Sequence, residues 1–248
     1  MVLALRQVGR RAMHLDTRQK LFVVLTALFT TCLVVGDIIG GKLIETQLFG
    51  VNFITTVGMV PFPVTFLLTD VLNEFYGKRA ARFVTFIGFG MAVLAFAFIY
   101  IGGAIPIAAL AREPNWQGVT EAAFANVFLG SQRMIVASLT AFLVAQFVDI
   151  GVFHLLKRWT SSRFLWLRAT GSTAVSQLID SVVISFAAFG GLMSVEQILD
   201  MIRSGYTLKM CIAVGLTPLI YGVHALVERV LGIEPHLIAD PAHGPPTV

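Results

Sequence analysis

The sequence predicts an all-α, polytopic membrane protein of six transmembrane helices, the second broken at a Pro-x-Pro. Three observations carry this. Six apolar stretches, each near the ~20 residues an α-helix needs to cross a bilayer core, occupy most of the 248 residues. Hydrophobic residues make up 56% and charged residues 13%, with mean hydropathy +0.82, outside the range of soluble domains. The basic residues also alternate in density from one connecting segment to the next.

The stretches run roughly over 21–39, 53–72, 83–105, 134–156, 173–193 and 207–227. If the first leaves the cytoplasm, the inside segments hold Arg6, Arg10, Arg11, Arg18, Lys20, Lys78, Arg79, Arg82, Lys157, Arg158, Arg163, Arg168 and Arg229. Only Lys42, Arg112, Arg133, Arg203 and Lys209 fall outside. That bias is the positive-inside rule and predicts a multi-pass protein of the cytoplasmic (inner) membrane with both termini cytoplasmic. It also turns the net charge of +4 into a topology signal and argues against nucleic acid as a partner.

Residues 1–20 read as a basic cytoplasmic N-terminal segment, 21–232 as a six-helix membrane transporter domain, and 233–248 as a disordered cytoplasmic tail. The first apolar run exceeds the ~7–15 residues of a signal-peptide core and lacks a small-x-small cleavage site, so it reads as a retained span. The longest connection, 106–133, contains Trp116 and a segment over 121–129 that reads as a short interfacial helix. Cys32 and Cys211 lie in apolar spans and read as small buried hydrophobes. No Walker loop, dinucleotide-binding glycine motif or His-Glu-x-x-His is present, so no enzyme of those classes is expected, and neither is a cofactor or metal.

In the second span, Pro61 and Pro63 remove two backbone donors, and Phe62 between them is expected to be extended. A new helix can then start at Pro63. Thr65, Thr69 and Asn73, with Asp70 and Glu74, recur at four-residue spacing and form one polar stripe. Gly77 reads as the stop. Glu74 is expected nearer the cytoplasmic mouth, with Lys78 or Arg82 as its alternative partner.

The fourth and fifth spans share Gln146-Phe147-Val148-Asp149 and Gln177-Leu178-Ile179-Asp180, each placing Gln and Asp on one helical face. At ~1.5 Å per residue, Asp70, Asp149 and Asp180 are expected to meet at one level, at or just inside the midplane. Charges at that depth cost ~2.5–3.5 kcal/mol each on insertion scales, so a wet, donor-accepting cavity is the economical explanation. A purely structural polar network remains the other. Lys42 and Lys209 lie toward the outer face and could attract substrate. Phe62, Phe66, Phe75, Tyr76 and Phe147 border the cluster and could stack on a planar ring.

Thr55-Thr56-Val57-Gly58 and the run Phe62-Pro63-Val64-Thr65-Phe66-Leu67-Leu68-Thr69-Asp70-Val71-Leu72-Asn73-Glu74-Phe75-Tyr76-Gly77 resemble the signature of the queuosine precursor transporter family. The two Gln-x-x-Asp motifs, Lys209 and Pro218-Leu219-Ile220-Tyr221-Gly222 resemble its later segments. The resemblance covers about 20–230 and implies import of 7-cyano- or 7-aminomethyl-7-deazaguanine, or queuine, for tRNA modification. A carboxylate accepts the adjacent N–H donors of such a base, and amides match its carbonyl. The expected substrate contacts are Asp149, Asp180, Gln146 and Gln177, with Asp70, Asn73, Phe62, Phe66 and Lys209 around them and Glu74 at the mouth. The expected partners are a small-molecule nucleobase and the lipid bilayer, with a homodimer left open. Two alternatives stand beside this reading: a substrate-binding subunit for another heterocycle that needs an ATP-driven module, and an intramembrane enzyme with paired aspartates.

Overall fold

The computed structural model describes residues 15–48, 51–129, 132–160 and 164–235. The segment before residue 15 and most of the expected tail lie outside them. Helix α1, Thr17–Ile39, starts ahead of its apolar run because Asp16 and Gln19 form a capping box. Gln19 N donates to Asp16 Oδ1 at 2.6 Å, and Asp16 N donates to Gln19 Oε1 at 3.1 Å.

The chain then departs from the expected second span. Strand β1, Leu43–Leu48, pairs antiparallel with β2, Val51–Thr56, with Leu43 opposite Thr56. A 3-10 turn over Val57–Met59 leads into α2, Phe62–Phe75. Its 14 residues reach about 21 Å, short of a ~30 Å bilayer core. The first part of 53–72 is thus a strand. Hydropathy alone does not separate a strand from a helix, and the β-branched run Ile54-Thr55-Thr56-Val57 favours the strand.

The break at Pro61 and Pro63 is real, but Phe62 is helical instead of extended. Pro63 falls in the first turn, where N–H groups have no intrahelical acceptor, so its missing donor is harmless. Val64 N and Thr65 N donate to Pro61 O at 3.1 and 3.2 Å. At the other end Gly77 stops α2 as expected, adopting φ 77°, a left-handed conformation open to glycine.

Helix α3, Gly77–Ala104, follows directly. The 121–129 segment is α4, Glu121–Phe124, capped by Thr120 and continued by a π turn over Ala125–Leu129. Helix α5 runs Gln132–Trp159 and α6 runs Leu165–Phe189. Helix α7, Val195–Gly215, begins well before the expected 207 because Ser194 and Gln197 form a second capping box. It breaks at Leu216, two residues before Pro218, ahead of α8, Thr217–Ala225, and a π turn over Leu226–Val230.

Among the described residues, five helical stretches are long and apolar enough to cross a membrane: α1, α3, α4 with α5, α6, and α7 with α8. The half-length α2 makes the sixth element. Valines, leucines and phenylalanines such as Val24, Phe83, Phe98, Val136 and Val214 face outward. Asp70, Asn73, Glu74, Asp149, Lys157, Arg168, Ser176 and Gln177 are buried. Apolar outside and polar inside is the arrangement a bilayer selects. Cys211 is exposed and Cys32 partly so, against the expectation that both are buried.

The α5–α6 pair is the most extensive helix contact. Ala137, Ala141 and Ala145 line α5 every fourth residue, and Ser172, Thr173 and Ser176 line α6, all buried. Small side chains let the two backbones approach closely. A second seam, of Leu25, Phe29, Leu68, Leu72, Phe75 and Val84, joins α1, α2 and α3. At the end where α2 stops, Arg18 Nη2 donates to Phe75 O and Tyr76 OH donates to Arg18 O, both at 2.7 Å. Residues 231–234 share a groove with Asp16 and Arg18 there, so both described chain ends meet on one side.

Candidate functional site

The polar interior is built in two layers. The layer nearer the chain ends is held by Glu74, on the last turn of α2. Its Oε1 accepts from Arg168 Nη2 at 2.7 Å and its Oε2 from Lys157 Nζ at 3.0 Å, with all three side chains at most 3% exposed. His224 Nε2 lies 3.9 Å from Glu74 Oε1, and His224 Nδ1 lies 3.5 Å from Glu228 Oε2. The expected partners Lys78 and Arg82 are replaced by cations from α5 and α6. Lys157 and Arg168, read from sequence as topology markers, are buried ion-pair partners.

One turn outward on α2 sits Asp70, buried and lining a cleft with Phe66, Thr170, Thr173 and Leu216. Asp149 is buried on α5, where Ser176 Oγ donates to Oδ1 at 3.2 Å. The carboxyls of Asp70 and Asp149 are close enough for their charges to interact. Asn73 is fully buried, and neither its Oδ1 nor its Nδ2 has a hydrogen-bond partner among the described residues. Gln177 Oε1 is also buried and unpartnered.

The outer layer centres on Asp180. Lys209 Nζ donates to its Oδ2 at 2.6 Å and lies 5.1 Å from the centre of the Phe62 ring. Phe62 packs edge-on against Phe66 at 4.0 Å between centroids. Asp37, on the last turns of α1, accepts from Ser138 Oγ at 3.2 Å, and its Oδ2 is buried without a partner. Gln146 Nε2 donates to Thr69 Oγ1 at 3.1 Å, linking α5 to α2.

The three aspartates therefore do not meet at one level. Helices α5 and α6 are antiparallel, and Asp149 faces Ser176; Asp180 lies a full turn further out, ~6 Å along the axis. The same antiparallel packing puts Gln146 near the level of Asp180. Depth counted from approximate span ends was one turn out, because α6 starts at Leu165 and not at 173. Lys209 neutralises Asp180 directly, which the sequence had not indicated. Lys42 is exposed beside the hairpin, outside both layers. Phe75 is packed into the α1–α2–α3 seam, and Phe147 stacks with Phe86.

Sequence reasoning missed Asp37, Ser176 and the structural use of Lys157 and Arg168. Asp37 carried a usable signal, a carboxylate inside an apolar span. Ser176 carried none, since serine is common where helices pack closely.

A family model described as "Putative vitamin uptake transporter" matches residues 56–223. The chain belongs to this family. The matched segment runs from the end of β2 into α8 and takes in Asp70, Glu74, Asp149, Arg168, Asp180 and Lys209. Among curated relatives, "Probable queuosine precursor transporter" of Bacillus subtilis (strain 168) is 33% identical over 184 residues, 74% of this chain and 76% of the relative. "Queuosine precursor transporter" of Escherichia coli (strain K12) is 28% identical over 184 residues, 73% of this chain and 77% of the relative. A "Probable queuosine precursor transporter" of Haemophilus influenzae is 28% identical over 138 residues, 56% of this chain and 53% of the relative. No solved structure matches this chain. The family resemblance read from Phe62 to Gly77 is borne out.

Proposed function

We propose that this protein imports 7-deazaguanine precursors of queuosine across the cytoplasmic membrane, with both termini inside. The cargo is the 7-cyano or 7-aminomethyl base, or queuine, recovered for tRNA modification. The carrying observation is similarity to two relatives named for queuosine precursor transport, over about three-quarters of each chain.

The inner layer supports this chemistry. A guanine-like base offers adjacent N–H donors that one carboxylate accepts together, and among the described residues neither Asp70 nor Asp149 forms an ion pair. Asn73 and Gln177 supply amide groups with unused hydrogen-bonding capacity. Gln146, Phe62, Phe66, Lys209 and Asp180 belong to the approach from the outer side. Glu74 is engaged by two cations and holds the inner end together. The cleft at Asp70 leaves a cavity of about 10 Å³, room for a water and not for a base. Substrate passage therefore requires the helices lining this cleft, α2, α6, α7 and α8, to separate. A short helix joined through a proline break and a left-handed glycine is built for that movement.

The test is uptake of labelled base in a strain unable to make queuosine. Wild-type protein should restore accumulation, and Asp149→Asn should reduce it while inserting normally. Wild-type rates in Asp149→Asn and Asp180→Asn together would make the carboxylates structural. One observation favours a second reading, an intramembrane aspartyl enzyme: the charges of Asp70 and Asp149 interact. Conversion of the base to a product by purified protein would establish that reading. Co-purification with an ATPase would instead mark the chain as a binding subunit.

A further inference from the structure

In the inner layer, buried carboxylates outnumber buried cations. Asp70, Glu74 and Asp149 are each at most 4% exposed, and the buried cations beside them are Lys157 and Arg168. Both cations pair with Glu74, and the charge of Arg168 also acts on Asp70. Among the described residues, neither Asp70 nor Asp149 has a cation within ion-pair distance. His224 faces Glu74 and Glu228. His154 follows Asp149 by five residues on α5 and so projects about 140° away around the helix. The layer carries one carboxylate more than its own side chains and a neutral ligand balance.

Asn73 shows where the unused polar groups point. Thr69 faces Gln146 on α5, and Asp70 faces the cleft shared with α6. At about 100° per residue, Asn73 projects between those two directions, toward the α5–α6 seam. Helices α2 and α5 run the same way, since Glu74 and Lys157 meet at their ends. One turn beyond the Thr69–Gln146 contact therefore brings Asn73 level with Asp149. Its two amide atoms are buried there without partners, and Gln177 Oε1 is in the same condition beside Ser176. Asp70 and Asp149, close enough for their charges to interact and without an ion-pair partner among the described residues, thus lie within a turn of two buried amides with open hydrogen-bonding positions.

We propose that this layer selects a base bearing one positive charge: the 7-aminomethyl form, with its protonated amine, over the neutral 7-cyano form. The inference rests on the transport reading above and names the charge of its substrate. One carboxylate accepts the adjacent N–H donors of the base, and the other pairs with the ammonium. Asn73 and Gln177 meet the ring carbonyl and the remaining N–H. A neutral base satisfies only the first carboxylate and leaves the second buried and uncompensated.

The experiment is uptake of both labelled bases by the full chain in proteoliposomes, at several external pH values. Wild-type protein should show a KM for the aminomethyl base about tenfold to a hundredfold below that for the cyano base, the discrimination expected of one charge-assisted hydrogen bond. In Asp70→Asn or Asp149→Asn the ratio of the two KM values should fall toward one. The wild-type comparison stands even if a variant does not fold. Equal KM values in wild type overturn the inference and leave the transport reading in place. So does cyano uptake that accelerates on acidification to match the aminomethyl base, because a proton then supplies the charge. A ratio unchanged in both variants also overturns it. Uptake of neither base overturns the transport reading and this inference together.

Discussion

Arg168 Nη2 and Glu74 Oε1 lie 2.7 Å apart, joining the first turn of α6 to the last turn of α2. Lys157 approaches the same carboxylate from the end of α5. Three helix ends are therefore tied through one side chain on the side where the chain ends lie. Removing one partner of a buried ion pair leaves a charge that neither water nor protein compensates, which gives this contact its structural weight.

Glu74→Gln should lower stability by about 3–5 kcal/mol, read from unfolding in detergent. Arg203→Ala is the control. The Arg203–Asp200 pair is 3.3 Å long but 77% and 68% exposed, so its loss should stay within about 0.5 kcal/mol. Equal effects of the two substitutions would remove Glu74 from its structural role.

Lys209→Met should abolish most uptake, because Asp180 is then left partly buried without its 2.6 Å partner. Lys209→Arg keeps both the charge and the stacking on Phe62 and should retain more transport than Lys209→Met. Indistinguishable uptake in the two variants would show that the charge at 209 does not matter.

Gly88→Ala should destabilise the protein by about 1–3 kcal/mol, because its Cβ would lie 2.9 Å from Phe29 Cε1 and 3.1 Å from Leu33 Cδ2. Phe29 is itself 1% exposed and has little room to move. Gly90→Ala, two residues on, meets nothing within 4 Å and should be neutral or stabilising through helix propensity. Thermal midpoints of the two variants check the α1–α3 contact.

Cysteine labelling tests the orientation. In a background with Cys32 and Cys211 replaced by alanine, Trp116→Cys should react with an impermeant reagent from outside. Trp159→Cys, at the far end of α5, should react only after permeabilisation. The reverse pattern would invert the proposed topology.

The membrane class, the helix break at Pro61 and Pro63, the stop at Gly77 and the family were all legible in the sequence. Each rests on local chemistry: apolar length, a missing backbone donor, a left-handed residue, a contiguous motif. The strand over 51–56 was not legible, because a β-branched apolar run satisfies hydropathy equally as strand or helix until β1 pairs with it. Nor were the helix starts at Thr17 and Val195 read, although both capping boxes are written in the chain. What the tertiary structure alone decided is which charges meet. The sequence shows Lys157, Arg168 and Lys209 as basic residues near helix ends. Antiparallel packing of α5 on α6, and α2 ending between them, turn the first two onto Glu74 and the third onto Asp180. Ion pairing depends on distances of a few ångströms between residues 29 to 94 positions apart, and no local pattern encodes those.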